Sequence, residues 1–124
     1  MIAADTSALS SFFKGEQCRE CDLVKVALTG SDICLPPVVL TEMLSDAASR
    51  REMDETVAGF PLLPILDGYW ERTGCCRHLL MRKGLKAAVA DALIAQSCID
   101  HDVALITRDA DFRHFAKHCG LKLA

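Results

Sequence analysis

Val103-Ala104-Leu105-Ile106-Thr107-Arg108-Asp109-Ala110-Asp111-Phe112 is the stretch from which the fold is read. Its apolar start reads as a strand, and two acids follow at once. Asp109 then caps a helix carrying Phe112 and Phe115. The opening of the chain repeats the pattern: Met1-Ile2-Ala3-Ala4 is apolar and ends in Asp5.

Working outward, strand and helix alternate. Residues 2–5, 33–35, 62–66, 103–106 and 121–123 read as strands. Helices are expected over 7–14 and over 16–28, the second closed by Gly30. Another opens at Pro36-Pro37 and runs to about Arg51, and residues 52–60 form a short helix or loop. Asp67 caps a helix to Arg82, and residues 85–100 form a further one before the helix at Asp109. Such alternation predicts an α/β fold, a three-layer α/β/α sandwich around a mostly parallel sheet of four to five strands. In such sheets, sites lie at the carboxyl ends of the strands.

Five acids stand where a carboxylate needs a partner: Asp5, Glu42, Asp91, Asp109 and Asp111. Glu42 interrupts Val38-Val39-Leu40-Thr41-Glu42-Met43-Leu44. Asp91 is the one polar residue between Ala87 and Ala95. An ionised carboxylate among apolar groups is costly unless it is paired or bound to a metal. Asp5 and Asp109 end expected strands, and Glu42 lies on the second turn of a helix that begins at another strand's end. These three can converge, and Asp91 can project to the same edge. A hard divalent cation, Mg²⁺ or Mn²⁺, is the obvious compensating charge. Each acid also has a plain reading: Asp5 and Asp109 as helix caps, Asp111 at a helix's positive end, Glu42 and Asp91 on solvated faces.

Composition narrows the function classes. At 124 residues the chain is expected to form a single domain, residues 1–124. The net charge of −3 excludes a global basic field, though not a local basic patch. Neither a secretory leader nor a membrane span is evident. Seven cysteines at irregular spacing point to reduced thiols and a cytoplasmic location. Cys18 and Cys21 have no second pair at zinc distance, so small buried hydrophobe is the expected role for most of the seven.

Asp5-Thr6-Ser7, Leu40-Thr41-Glu42-Met43-Leu44, Asp91-Ala92-Leu93-Ile94-Ala95 and Thr107-Arg108-Asp109-Ala110-Asp111-Phe112, in that order, resemble the PIN-domain family. The last segment is similar to the Thr-x-Asp-x-Asp-Phe run of its toxin branch, called VapC. The resemblance covers essentially the whole chain. One departure is Ala3-Ala4, where larger aliphatics are common before the first acid.

The resemblance implies a Mg²⁺- or Mn²⁺-dependent ribonuclease, the toxin of a type II toxin–antitoxin pair. Its partners would be RNA, a cognate antitoxin and a second copy in a homodimer. Asp5 and Asp91 would be metal ligands, Glu42 and Asp109 would complete the shell or orient water, and Asp111 would either support them or bind a second ion. The catalytic set is then Asp5, Glu42, Asp91 and Asp109. Thr6 and Thr107 would hold carboxylates or waters in place.

RNA also requires cations. Between Arg72 and Ala90 the chain carries Arg72, Arg77, Arg82, Lys83 and Lys86, and no acid. With Arg108 and Arg113 these make a candidate phosphate track; a solvated helix face is the plain alternative. The first two helices are apolar on more than one side, through Leu9, Phe12, Phe13, Val24, Val26, Ala27 and Leu28, which suits an amphipathic partner helix. Two other functions remain open: an RNA-processing nuclease without an antitoxin, and a receiver-like signalling module. The receiver needs a Lys closing a late strand, where this chain has Thr107-Arg108.

Overall fold

The computed structural model describes residues 1–48 and 50–124. Strand β1 (Ile2–Ala4) lies at the centre, parallel to β2 (Ile33–Cys34) on one side and β3 (Ala104–Ile106) on the other. Ile2 pairs with Ile33 and with Ala104, and Ala4 with Ile106. Ala3, Ala4, Ile33, Cys34, Leu105 and Ile106 are all buried. Neighbours along a strand point to opposite faces, so both faces of this sheet are covered, as parallel sheets require.

Among the described residues the expectation of four to five strands is corrected to three. The outer two positions survive only as single parallel bridges, Leu35 to Leu62 and Leu105 to Leu123. Pro61 and Pro64 flank Leu62 and donate no backbone hydrogen bond, which stops a ladder there. At the other edge Gly120 takes a left-handed φ of 84°, turning the chain just before residues 121–123.

Seven helices complete the described residues: α1 (Thr6–Phe13), α2 (Arg19–Thr29), α3 (Pro37–Ser45), α4 (Arg51–Ala58), α5 (Tyr69–Arg82), α6 (Val89–Asp100) and α7 (Phe112–Cys119). Helix α3 starts at a proline, which suits the first turn. It ends sooner than expected: Asp46 is extended and its side chain accepts from Ala48 N. Of the helix expected through to Arg51, the position at Ser49 lies outside the described residues.

Helix α6 begins at Val89 rather than residue 85, because Ala88 is extended (φ −61°, ψ 147°). Arg77 of α5 donates to the Ala87 carbonyl at 2.7 Å and holds this lead-in segment against α5. The delay leaves Asp91 in the first turn of α6. Phe112 and Phe115 of α7 are fully buried, each contributing roughly 1.5–3 kcal/mol of burial.

The expectation of reduced thiols is corrected at two positions. Cys18 and Cys21 are joined in a disulfide across the first turn of α2, while Cys34, Cys75, Cys76, Cys98 and Cys119 are free. Among the described residues no helix is long and apolar enough to cross a membrane.

Candidate metal centre

Three helix starts deliver acids to the carboxyl edge of the sheet. Asp5 follows β1 and caps α1, Asp91 lies in the first turn of α6, and Asp111 occupies the cap position of α7. Helix N-termini carry partial positive charge, so each start tolerates an anion. The sequence alternation that builds the sheet therefore also collects its acids.

Asp91, Asp109 and Asp111 come closest together: each offers one carboxylate oxygen, and all three oxygens lie within 4.8 Å of one another. All three residues are half-buried. Burial pushes the Asp91 carboxyl up to about 6, with Asp109, Asp111, Glu42 and Asp5 adding repulsion in that order. Hard oxygen donors at this spacing, carrying more negative charge than one neighbouring lysine can balance, fit a divalent cation. Asp5 and Glu42 stand outside the closest trio but near enough for their charges to be felt at Asp91. On sequence grounds Asp5 ranks ahead of Asp111 as a ligand. The geometry places Asp111 inside the trio and Asp5 beside it.

Asp5 is held from several directions. Its Oδ1 accepts from Ala8 N at 2.9 Å and from the Ser7 hydroxyl at 2.8 Å, and its Oδ2 accepts from Thr107 Oγ1 at 2.6 Å. Burial raises its pKa, while the donors Thr107, Ala8 and Ser7 pull it back down. Thr6 Oγ1 donates to Glu42 Oε1 at 2.8 Å. Thr107 Oγ1 also accepts from Asp109 N at 3.0 Å, and Asp109 Oδ1 accepts from Asp111 N at 2.9 Å. Thr107 thus ties the carboxylate that follows β1 to the acidic turn that follows β3.

Ser7 does not stand out in the sequence as a site residue. Its hydroxyl donates to Asp5 and accepts from Arg108 N at 2.9 Å. The one sequence signal is a hydroxyl residue two places after an acid at a helix start, a common capping arrangement.

The basic residues separate into groups. Arg72 is committed to Asp100: Nε donates to Oδ1 at 2.9 Å and Nη2 to Oδ2 at 2.7 Å, while Nη1 donates to the Asp67 carbonyl. Arg77 is committed to Ala87, as above. Arg108 donates to Glu16 at 2.7 Å and to Ser11 at 2.9 Å. Arg82, Lys83 and Arg113 are exposed and make no ion pair among the described residues. Among the described residues Lys86 alone reaches the trio: its Nζ lies 3.2 Å from Asp111 Oδ2. Asp111 first, through its hydrogen bond and charge, and then Asp109 and Asp91 favour the charged form of this lysine.

Apolar residues of the first two helices mostly serve the core. Leu9, Val24 and Ala27 are buried, and Phe12, Phe13 and Leu28 pack against them, leaving Val26 71% exposed. A cavity of 460 Å³ remains between α1 and the α3–α4 region, lined by residues that include Ser10, Phe13, Lys14, Met53 and Thr56.

The PIN-domain family model matches residues 2–118. No curated protein matches the sequence. Solved structures are similar in fold. VapBC2 from Rickettsia felis, bound to a DNA fragment from its promoter, superimposes with a TM-score of 0.75 at 19% identity, covering 100% of this chain and 98% of that one. For VapBC-5 from Mycobacterium tuberculosis, a toxin–antitoxin family member, the TM-score is 0.71 at 23% identity, with 98% and 95% covered. FitAB bound to an IR36 DNA fragment gives 0.70 at 18% identity, with 100% and 94% covered. A family match over nearly the whole chain, on a parallel α/β frame whose carboxyl edge gathers the acids, makes this protein a member of the PIN-domain family.

Proposed function

We propose that the chain is a Mg²⁺- or Mn²⁺-dependent endoribonuclease and the toxin of a type II toxin–antitoxin pair. The carrying observation is the trio of Asp91, Asp109 and Asp111 oxygens within 4.8 Å, with Asp91 pushed up to about 6. Acids held that close and still repelling one another suit a divalent ion better than they suit a structural role.

In this reading Asp91, Asp109 and Asp111 hold the ion, with Asp5 and Glu42 completing the shell or orienting the attacking water. The bound ion supplies a more acidic water and a polarised phosphoryl oxygen. Thr107, Ser7 and the Ala8 amide keep the Asp5 carboxylate aimed, and Thr6 does the same for Glu42. Arg82, Lys83, Lys86 and Arg113 are the cations available to RNA phosphates, and Arg108 lies near Arg113. Arg72 and Arg77 act through the fold, by fixing α5 to Asp100 and to the start of α6.

Three structural neighbours are members of VapBC or FitAB pairs, which supports an antitoxin partner. The cavity between α1 and the α3–α4 region is where an amphipathic helix of that partner would lie. A homodimer is supported by exposed apolar residues in one segment: Leu62, Ile65, Leu66 and Trp70. A cytoplasmic site of action follows from the RNA substrate.

The test is expression of the chain alone in a bacterial host beside Asp5→Ala. Growth arrest by the wild type only, relieved by co-expressing the neighbouring upstream frame, is the expected result. Metal-dependent RNA cleavage by a non-toxic protein would favour the second reading, an RNA-processing nuclease without an antitoxin. The receiver-like alternative loses its footing in the fold: residues 62–66 form no central strand, and Asp67 is exposed.

A further inference from the structure

Lys86 is the one cation that contacts the carboxylate trio among the described residues. It sits in the extended lead-in to α6, five residues before Asp91, and that segment is fixed to α5 by the Arg77–Ala87 hydrogen bond. Its side chain is 74% exposed, whereas that of Asp111 is 28% exposed. The ammonium therefore reaches inward from solvent and is free to swing back out, on a backbone that stays in place.

Three consequences follow from charge and reach alone. The Asp111 oxygen that Lys86 occupies belongs to a residue offering oxygens to the trio, so a divalent ion and the ammonium compete for the same negative charge. An exposed ion pair is worth little, so a divalent ion can displace the lysine at small cost. Once displaced, the ammonium remains tethered within a side chain's length of the acids, where an incoming anion is a stronger acceptor than water.

We propose that Lys86 is the resident counter-ion of the metal-free centre, and that it exchanges Asp111 for an RNA phosphate when the divalent ion arrives. This rests on the metal-centre reading above and adds a coupling to it. Metal binding frees the lysine for phosphate, and phosphate draws the lysine off Asp111, so each ligand promotes the other by the same factor. The site is then least attractive to RNA while it lacks its ion. Lys86 is a positioning residue for substrate and a competitor of the metal.

The test compares wild type, Lys86→Gln, Lys83→Gln and Asp91→Asn by direct Mn²⁺ titration, read from the electron paramagnetic resonance signal of free Mn²⁺. Lys83→Gln removes the same charge nearby without touching a carboxylate. Lys86→Gln should bind Mn²⁺ about two- to fivefold more tightly than wild type, the size of one exposed ion pair, and Lys83→Gln should match wild type. In parallel, the affinity for a labelled single-stranded RNA is measured by anisotropy in EDTA and in Ca²⁺. Ca²⁺ should tighten RNA binding in wild type more than in Lys86→Gln. Wild-type or weaker Mn²⁺ affinity in Lys86→Gln, or equal Ca²⁺ enhancement in both proteins, overturns the exchange. If Asp91→Asn still loses Mn²⁺ in that case, the metal centre stands and only the exchange falls. If no protein in the set binds Mn²⁺ saturably, both readings fall together.

Discussion

Thr107 Oγ1 donates to Asp5 Oδ2 at 2.6 Å across 102 residues of chain, and the same oxygen accepts from Asp109 N. One hydroxyl therefore sets the spacing between the carboxylate after β1 and the acidic turn after β3. Thr107→Val removes it while keeping the shape. RNA cleavage and Mn²⁺ affinity should each fall about 10- to 100-fold, and Thr107→Ser should restore most of both. Wild-type cleavage by Thr107→Val would show that Asp5 needs no such brace.

Asp91 gives a pH prediction. Its folded-state pKa of about 6 lies above the ordinary 3.8, so the folded chain holds this proton more tightly than the unfolded one. That contribution to stability is fully present below the ordinary value and is lost as pH rises through about 6. In EDTA, Asp91→Asn should therefore be more stable than wild type above neutrality, by on the order of 1 kcal/mol after screening by solvent. The advantage should vanish toward acid. Thermal melts across the range check this, and a pH-independent gain would show that Asp91 does not titrate there.

Metal removal should act on chemistry without unfolding the chain. EDTA should abolish RNA cleavage, Mg²⁺ or Mn²⁺ should restore it, and Ca²⁺ should restore it poorly, since its coordination is larger and looser. Far-ultraviolet circular dichroism should be unchanged throughout. Cleavage that persists in EDTA would remove the metal from the mechanism.

Cations of the α5 stretch should divide by partner. Changing Arg82 and Lys83 to Ala should reduce the slope of log affinity for RNA against log salt, by about one unit for each phosphate left without its cation. Arg72→Ala should leave the slope alone and lower Tm instead, because it strips the bidentate partner from Asp100, whose side chain is only 6% exposed. A slope change in Arg72→Ala would return that residue to the RNA track.

Much of the fold and site is legible in the sequence because strand ends and helix starts announce themselves locally. Asp5, Asp109 and Asp111 each mark a junction between an apolar run and a helix, Asp91 stands out as the one polar residue of an apolar helical stretch, Ala87 to Ala95, and topology does the rest. The sequence misleads where a distant partner decides the outcome. Arg72 reads as a free cation until Asp100, 28 residues away, closes on it. Residues 85–88 read as helix until Arg77 claims the Ala87 carbonyl. Leu62–Leu66 has a strand's composition, yet Pro61 before it and Pro64 within it permit only one bridge. Lys86 belongs to the basic stretch by sequence, but its pairing with Asp111 depends on how the start of α6 meets that of α7.

The long separation between Asp5 and Thr107 also bears on when the protein becomes active during its own synthesis. At about 5–20 residues per second, a ribosome needs roughly 5–20 s to travel from the first of these residues to the second. Throughout that interval Asp5 is already made, while Thr107, Asp109 and Asp111 do not yet exist. A nascent chain thus lacks the complete cluster of acids until its last residues are made. Under the ribonuclease function proposed above, spreading the site over almost the full length of the chain acts as a delay.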